Sequence, residues 1–344
     1  MIKKVGSKVF LDGVRKVTWA SGEMCEFASA LVSAMLYLGE SIAYDDVMGT
    51  SGAAFRFTLT PGEWEFSDYS FRKISADPHE PVRRAFHALG YSYTFRGKSS
   101  PQEDTAAILD SIDRGIPILA YPVVGPSDCC ILTGYDEGGS VMLGWSTYQD
   151  IPNDHDIPHD VTGYFRKPGW HDHFSGCILP GEKGEAPSLE EVFRDSLEWA
   201  LHLMRTPEMD GRHTGLAGLE AWANAMRDDA NFPREDESRL VESYIATTIF
   251  MTMLRDHCSA ETFLRRAAQA LPAGRGELSA AADCYHEVSH LRQGMDELIK
   301  DDFSEGTMAA VADPVVRRAF ADAILQIRDK EQEAAGHIER GLGR

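Results

Sequence analysis

Cys25 is the residue of this chain best placed to do chemistry. It stands in Gly22-Glu23-Met24-Cys25-Glu26-Phe27-Ala28, where a loop gives way to an apolar-periodic helix running through Val32, Met35, Leu36 and Leu38 to Gly39. A thiol at a helix start feels unpaired backbone N–H groups and the positive end of the helix dipole, both of which favour thiolate. Such a thiolate can attack a carbonyl carbon, with a backbone N–H at the same helix start stabilising the oxyanion. A buried structural cysteine is the competing reading, since free Cys packs as a small apolar side chain.

Other polar clusters are candidates for different chemistry. His286-Glu287-Val288-Ser289-His290 is a formal match to a zinc-hydrolase helix, in which His at i and i+4 share a face and Glu acts as base. The residues that follow lack a further His at the usual spacing, so an amphipathic surface helix explains the run equally well. The loop after Trp145 carries His155, His159, His171 and His173 among aspartates, a composition shared by acid–base sites and by solvated acidic loops. In Gly215-Leu216-Ala217-Gly218, small residues open a helix that continues through Trp222, which reads as close packing of backbone against a neighbour.

The elements needed to position Cys25 read as an α+β arrangement. Short β-type runs fall at Val9–Leu11, Phe55–Leu59, Ser92–Phe95, Ile116–Tyr121, Cys129–Thr133, Val141–Trp145 and Gly176–Leu179, with helical patterns at 25–38, 80–89 and 102–114. The polar, Pro- and Gly-rich stretch 180–188 reads as a linker. Beyond it nearly everything has helical period, with segments at 214–229, 236–257, 259–271, 277–300 and 313–340. Ser188-Leu189-Glu190-Glu191 predicts a capping box, and Asp313-Pro314 predicts the N-cap and first-turn proline of the last helix. The expected organisation is an α+β domain over 1–182 and an all-helical domain over 188–344.

The order of these parts carries a resemblance. A Cys opens a helix ending in Tyr37-Leu38-Gly39, Gly115-Ile116-Pro117 leads into a strand, and a second strand runs from Cys129 to Gly134-Tyr135-Asp136. This resembles the papain-like fold, in particular bacteriocin-processing-type cysteine peptidases, over about half the chain. Met48-Gly49-Thr50-Ser51-Gly52-Ala53-Ala54-Phe55-Arg56-Phe57 is similar to the segment after the first helix in the butirosin biosynthesis protein H N-terminal family, an acyl-transfer relative of that fold. The resemblance implies a nucleophile at Cys25. It places Asp128 where the general-base His is expected, and Trp19 where the oxyanion-hole Gln is expected. A carboxylate beside the thiol opposes thiolate formation, but it can orient an amine or accept a proton.

The leading expectation is therefore a cysteine-dependent acyl-transfer or amide-bond enzyme, with Cys25 and Asp128 as its catalytic pair. Trp19, Cys129, Trp145, Ser146 and Tyr148 are the candidate lining of the cleft. Ser51 and Arg56 are expected in the same cleft, where Arg56 would favour a carboxylate or phosphate. The alternative is a non-catalytic binding protein of the same fold for a small molecule or peptide. A zinc hydrolase using His286 and His290 is third. No cofactor and no resident metal are expected for the leading reading.

Composition narrows the partners. The 344 residues carry a net charge of -20, with the acidic excess in both halves. Such a field repels nucleic acid and anionic membrane surfaces and attracts cationic ligands, although solubility alone accounts for it. The first residues lack the apolar core of a signal peptide, and no unbroken apolar run approaches a membrane span. The six cysteines show no paired spacing. A reduced, cytoplasmic protein is the expectation. The small-residue helix is compatible with a homodimer, although no apolar stripe is clean enough to define an interface.

Overall fold

In the computed structural model the described residues are 1–62, 69–125, 129–150 and 157–344. The chain begins with a hairpin, β1 (Ile2–Val5) and β2 (Lys8–Leu11), followed by α1 (Glu26–Tyr37), α2 (Tyr44–Ser51), β3 (Thr58–Leu59) and α3 (Glu80–Ala88). Next come β4 (Tyr91–Gly97), α4 (Pro101–Asp113), β5 (Ile118–Tyr121), β6 (Cys130–Asp136), β7 (Val141–Trp145), β8 (Phe165–Pro168) and β9 (Gly176–Lys183). The remainder comprises α5 (Leu189–Arg205), β10 (Glu208–Met209), β11 (Arg212–Thr214), α6 (Gly215–Arg227), α7 (Glu237–Asp256), α8 (Cys258–Ala270), α9 (Arg275–Leu298), α10 (Glu305–Ala312) and α11 (Pro314–Gly341). These elements sort into two compact units, one of residues 1–47 and 86–186, the other of 48–85 and 187–344.

The first unit is an antiparallel sheet with helices packed on it. Its strand order is β1-β2-β6-β5-β9-β4, and β7 followed by β8 extends from the other edge of β6. Strand β6 is central because every one of its residues is buried, and it shares one edge between β5 and β2. Ile118 of β5 pairs with Leu132 of β6, while Phe10 of β2 pairs with Gly134 of β6. A Cβ at Gly134 would lie 2.6 Å from the Val9 carbonyl oxygen, so the close approach of β2 requires glycine there. Helix α1 packs on β5 and β6 through a nearly continuous buried run from Phe27 to Met35. Burial of apolar area stabilises by roughly 25 cal/mol per Å², which is how this face contributes to the unit.

The second unit corrects the sequence reading. Residues 48–85 belong with the C-terminal helices rather than with the α+β domain expected over 1–182. The physical reason is aromatic burial. Phe57 stacks on Trp222 at 5.5 Å and Phe55 meets Tyr285 edge-on at 5.7 Å, all four rings being buried in this unit's core. A Cβ at Gly49 would lie 2.1 Å from the Phe263 ring, so this glycine is where the segment and α8 come into contact. Nor is the region after 188 purely helical, because β10, β11 and β3 form a three-stranded antiparallel sheet in which Thr214 pairs with Thr58. The small residues that open α6 act as packing. Gly215 adopts φ +54°, and a Cβ on it would lie 2.4 Å from the Leu203 and Met204 carbonyl oxygens.

The predicted helix starts are present in detail. Ser188 accepts a hydrogen bond from the Glu191 N–H at 3.2 Å, and the Glu191 carboxylate accepts from the Ser188 N–H at 2.8 Å. Asp313 caps α11 by accepting from the Val315 N–H, with Pro314 in the first turn. Ser188→Ala removes the hydroxyl arm of the box at the start of α5, leaving the Glu191 N–H without its cap, and is expected to lower stability by about 1 kcal/mol. A urea-unfolding midpoint unchanged by the substitution would show that the box is ornamental.

Candidate functional site

Cys25 is the N-cap of α1, with an extended backbone at φ -79° and ψ 107°. Its side chain caps no helical N–H, and the residue is only 2% exposed. The approach to it is fixed by Glu23, whose carboxylate receives two hydrogen bonds from Arg15 at 2.8 and 2.6 Å and one from Ser29 at 2.6 Å. Burial pushes the Glu23 carboxyl up, but the bonds from Arg15 and Ser29 and the Arg15 charge more than offset this and hold it below its ordinary value. The loop is thus pinned to the helix on which Cys25 sits.

The main-chain N–H of Cys25 does not enter the helix ladder. It donates to the Tyr44 hydroxyl at 2.9 Å. An oxygen acceptor is therefore already seated on the donor that, at a thiol nucleophile, stabilises a developing oxyanion. No sequence motif marked Tyr44, and the contact follows only from the way α2 begins.

Cys129, immediately before β6, is buried, as are Cys130 and Cys25. Burial pushes the Cys129 thiol well above its ordinary value; a hydrogen bond from Tyr121 pulls the other way, and the nearby Cys130, Glu26 and Cys25 raise it further. Cys25 is thus among the groups whose charge acts on the Cys129 thiol. None of the six cysteines is in a disulfide.

Trp19 and Tyr148 also come together, their rings meeting edge-on at 4.7 Å. Gly125 has φ +84°, and a Cβ there would lie 2.5 Å from the Tyr148 ring, so the glycine is what admits the tyrosine. The Trp19 indole N–H is buried and has no hydrogen-bond partner among the described residues. Ser146 donates to the Val124 carbonyl at 3.3 Å, and the Cys130 thiol donates to the same oxygen at 3.4 Å. Trp145 is buried: it donates to the Val14 carbonyl at 3.0 Å and packs on Tyr164, and so serves the core of the unit rather than a pocket wall.

Ser51 and Arg56, expected in this cleft, fall in the other unit and are structural there. The Ser51 carbonyl accepts from the Trp199 indole at 3.1 Å. Arg56 is 2% exposed and pairs with Asp256 at 3.3 Å. Asp128 and His155 lie outside the described residues. Of the other loop histidines, His171 has the most definite setting. Its Nε2 lies 2.9 Å from the buried Asp104 carboxylate, beside a groove of about 690 Å³ lined by Thr105, Leu109, Gly139, Ser140 and Trp170. None of Trp19, Cys25, Cys129 or Tyr148 lines that groove. Asp104 carried no recognisable sequence signal, being one of two acids in the first turn of α4.

The zinc-type motif on α9 is not assembled as its spacing implies. The two Nε2 atoms of His286 and His290 are 3.1 Å apart, but His286 is also held by Glu261, and Glu287 pairs with Lys330 at 2.8 Å. Among the described residues these two histidines join no third His, Cys, Asp or Glu ligand at metal-binding distance. No helix among the described residues is long and apolar enough to cross a membrane. No protein-family model matches the chain, and no curated protein matches it.

Proposed function

We propose that the first unit is a papain-like domain that transfers an acyl group, or cleaves an amide bond, through a Cys25 thioester. The observation that carries this reading is the Cys25 N–H, outside the helix ladder, with the Tyr44 hydroxyl oxygen 2.9 Å from it. An acyl substrate replaces that hydroxyl with its own carbonyl oxygen. The Cys25 sulfur attacks the carbonyl carbon, an S–C bond forms, and the amine or thiol of the donor leaves with the proton that the Cys25 thiol gives up. An acceptor amine, or water, then attacks the thioester and returns the proton to sulfur. The Trp19 N–H, without a partner among the described residues, is a further donor for an acyl oxygen. The acidic net charge favours a cationic acceptor such as a polyamine or an aminoglycoside.

A second reading rests on the burial of Cys25 and takes the Tyr44 contact as structural. Cys25 is 2% exposed and its N–H is already satisfied, as befits a descendant of the fold that binds a small molecule or peptide without reacting. Alkylation separates the two. For the first reading, the rate of iodoacetamide modification at Cys25, followed by peptide mass spectrometry, reaches its plateau well below the ordinary thiol pKa of about 8.5. Modification at Cys25 no faster than at Cys129 and Cys130, at every pH, leaves the binding module as the function.

A further inference from the structure

The two long helices α9 and α11 bring together three donor atoms of different chemistry. Cys284 on α9, with Glu333 and His337 one turn apart on α11, place a sulfur, a carboxylate oxygen and a ring nitrogen within 4.8 Å of one another. Cys284 is 5% exposed. His337 Nε2 faces one Glu333 oxygen at 4.0 Å, while Nδ1 lies 2.7 Å from the Glu277 carboxylate. A carboxylate on the far nitrogen is the outer-shell arrangement that fixes an imidazole ligand and leaves its other nitrogen for a metal. Metal binding at Nε2 requires the tautomer whose Nδ1–H donates to Glu277, with the Arg340 Nη2 group turned away from Nδ1.

Cations border the cluster without filling it. Lys330 takes the other oxygen of Glu333 at 3.1 Å and pairs with Glu287 at 2.8 Å. Arg340 Nε holds Glu277 at 2.9 Å, and its Nη2 lies 2.7 Å from His337 Nδ1. Glu333 therefore has one oxygen on Lys330 and the other towards the histidine, while a single Glu277 oxygen takes both Arg340 Nε and His337 Nδ1.

We propose that Cys284, Glu333 and His337 are a binding site for a borderline divalent cation of the zinc class, with one coordination position left open. A mixed S, N and O donor set selects zinc-like ions over magnesium or calcium, which take oxygen ligands. Tetrahedral coordination at metal–ligand distances of about 2.0–2.3 Å puts donors roughly 3.5 Å apart, so small side-chain rotations of Glu333 and Cys284 close the site. On binding, the Cys284 S–H bond breaks, a sulfur–metal bond forms, and the proton passes to solvent. Burial pushes the Cys284 thiol up to about 11, the Glu333, Glu287 and Asp283 carboxylates adding to this and Lys330 opposing it. The chain's own zinc-like motif two residues on, His286 and His290, is not part of the site.

Titrating the metal-stripped full-length chain with Co²⁺ alone tests this. The expected result is one equivalent bound with a near-ultraviolet thiolate-to-cobalt charge-transfer band. The band is absent in Cys284→Ser, affinity falls about 10–100-fold in Glu277→Gln, and His286→Ala/His290→Ala behaves as the parent. A far-ultraviolet spectrum matching the parent establishes that Cys284→Ser is folded, and His337→Ala, on a less buried position, gives a second ligand deletion. No uptake, uptake without the thiolate band, or a band that survives Cys284→Ser overturns the assignment. Loss of the band in His286→Ala/His290→Ala overturns it as well and moves the metal to the sequence motif.

Discussion

Arg56→Met is expected to lower the stability of the chain by about 3–5 kcal/mol, the range for breaking a buried ion pair from one side. Arg56 and Asp256 are 2% and 0% exposed at the side chain, and Arg56 Nη2 lies 3.3 Å from the Asp256 carboxylate. Arg56 also donates to the Ser70 carbonyl at 3.1 Å and lies over the Tyr69 ring. Removing the guanidinium leaves a buried carboxyl whose cheapest escape is to bind a proton. Burial already pushes the Asp256 carboxyl up to about 6, against the charge and hydrogen bond of Arg56 and the charge of His257, which lower it. A carboxyl whose folded pKa lies above its unfolded value of about 3.9 holds its proton more tightly when folded. Its contribution to stability is thus present at low pH and declines as pH rises from about 4 to about 6. In Arg56→Met the decline extends to higher pH, because the main opposing charge has gone. Urea unfolding of Arg56→Met and Arg56→Met/Asp256→Asn across pH 4 to 8 provides the check. The double variant recovers much of the loss, since a neutral amide replaces the stranded carboxylate. A single variant within about 0.5 kcal/mol of the parent at pH 7 would falsify the account.

The same network contains a second titrating group. His257 is fully buried, its Nε2 donating to the Arg56 carbonyl at 2.6 Å and its Nδ1 lying 2.6 Å from the Glu331 carboxylate. Burial lowers the His257 pKa, but the charge and hydrogen bond of Glu331, the Arg56 carbonyl and Asp256 together raise it above its ordinary value. A histidine whose folded pKa is raised contributes stability below its unfolded pKa of about 6.5 and loses it as pH rises through the folded value. Asp256 and His257 therefore act in the same direction over adjoining pH ranges, and both favour the folded state on the acid side.

Local features of this fold were legible in the sequence because local chemistry causes them. The apolar period after Cys25 is α1, the buried run at Cys129–Thr133 is most of β6, and Ser188 and Asp313 cap helices as read. What escaped was non-local. Phe55, Arg56 and Phe57 read as a strand beside a cleft, whereas they are the aromatic and ionic anchor that ties 48–85 to the helical unit. The partner that decides the fate of Arg56 is 200 residues away, so neither spacing nor composition announces it. Trp145 illustrates a different limit. An aromatic at a strand end suits a pocket wall, but whether its N–H meets a ligand or the Val14 carbonyl depends on how the first residues cross the sheet. The helical metal motif misled for a similar reason, because spacing on α9 cannot show which face α11 supplies with donors. Tyr44 had no pattern at all, and only the fold brings its hydroxyl to Cys25.

That contact gives the acyl-transfer reading a prediction in two directions. Cys25→Ala abolishes transfer from an acyl thioester to a polyamine, with a loss on the order of 10⁴-fold or more, since removal of a nucleophile leaves only binding and oxyanion stabilisation. Tyr44→Phe does the opposite. The Cys25 N–H then has no phenolic oxygen to satisfy it, so a substrate carbonyl no longer has to displace one, and a typical net hydrogen bond of about 1 kcal/mol corresponds to a gain of about 5-fold. The gain belongs in kcat/KM, because the hydroxyl competes with the incoming acyl oxygen in the ligand-free protein. A ring without a hydroxyl still fills the space that Tyr44 occupies, so packing around α2 is conserved. The measurement is acyl transfer to spermidine from an N-acetylcysteamine thioester, with the covalent acyl-protein trapped by acid quench and located by mass spectrometry. An acyl group carried on Cys25 and accumulating faster in Tyr44→Phe joins the thiol, the N–H and the hydroxyl in one mechanism. Transfer that survives Cys25→Ala removes the thiol from the reaction. If Tyr44→Phe instead slows transfer, the hydroxyl is a working part of the site, aiding the nucleophile rather than blocking its oxyanion donor.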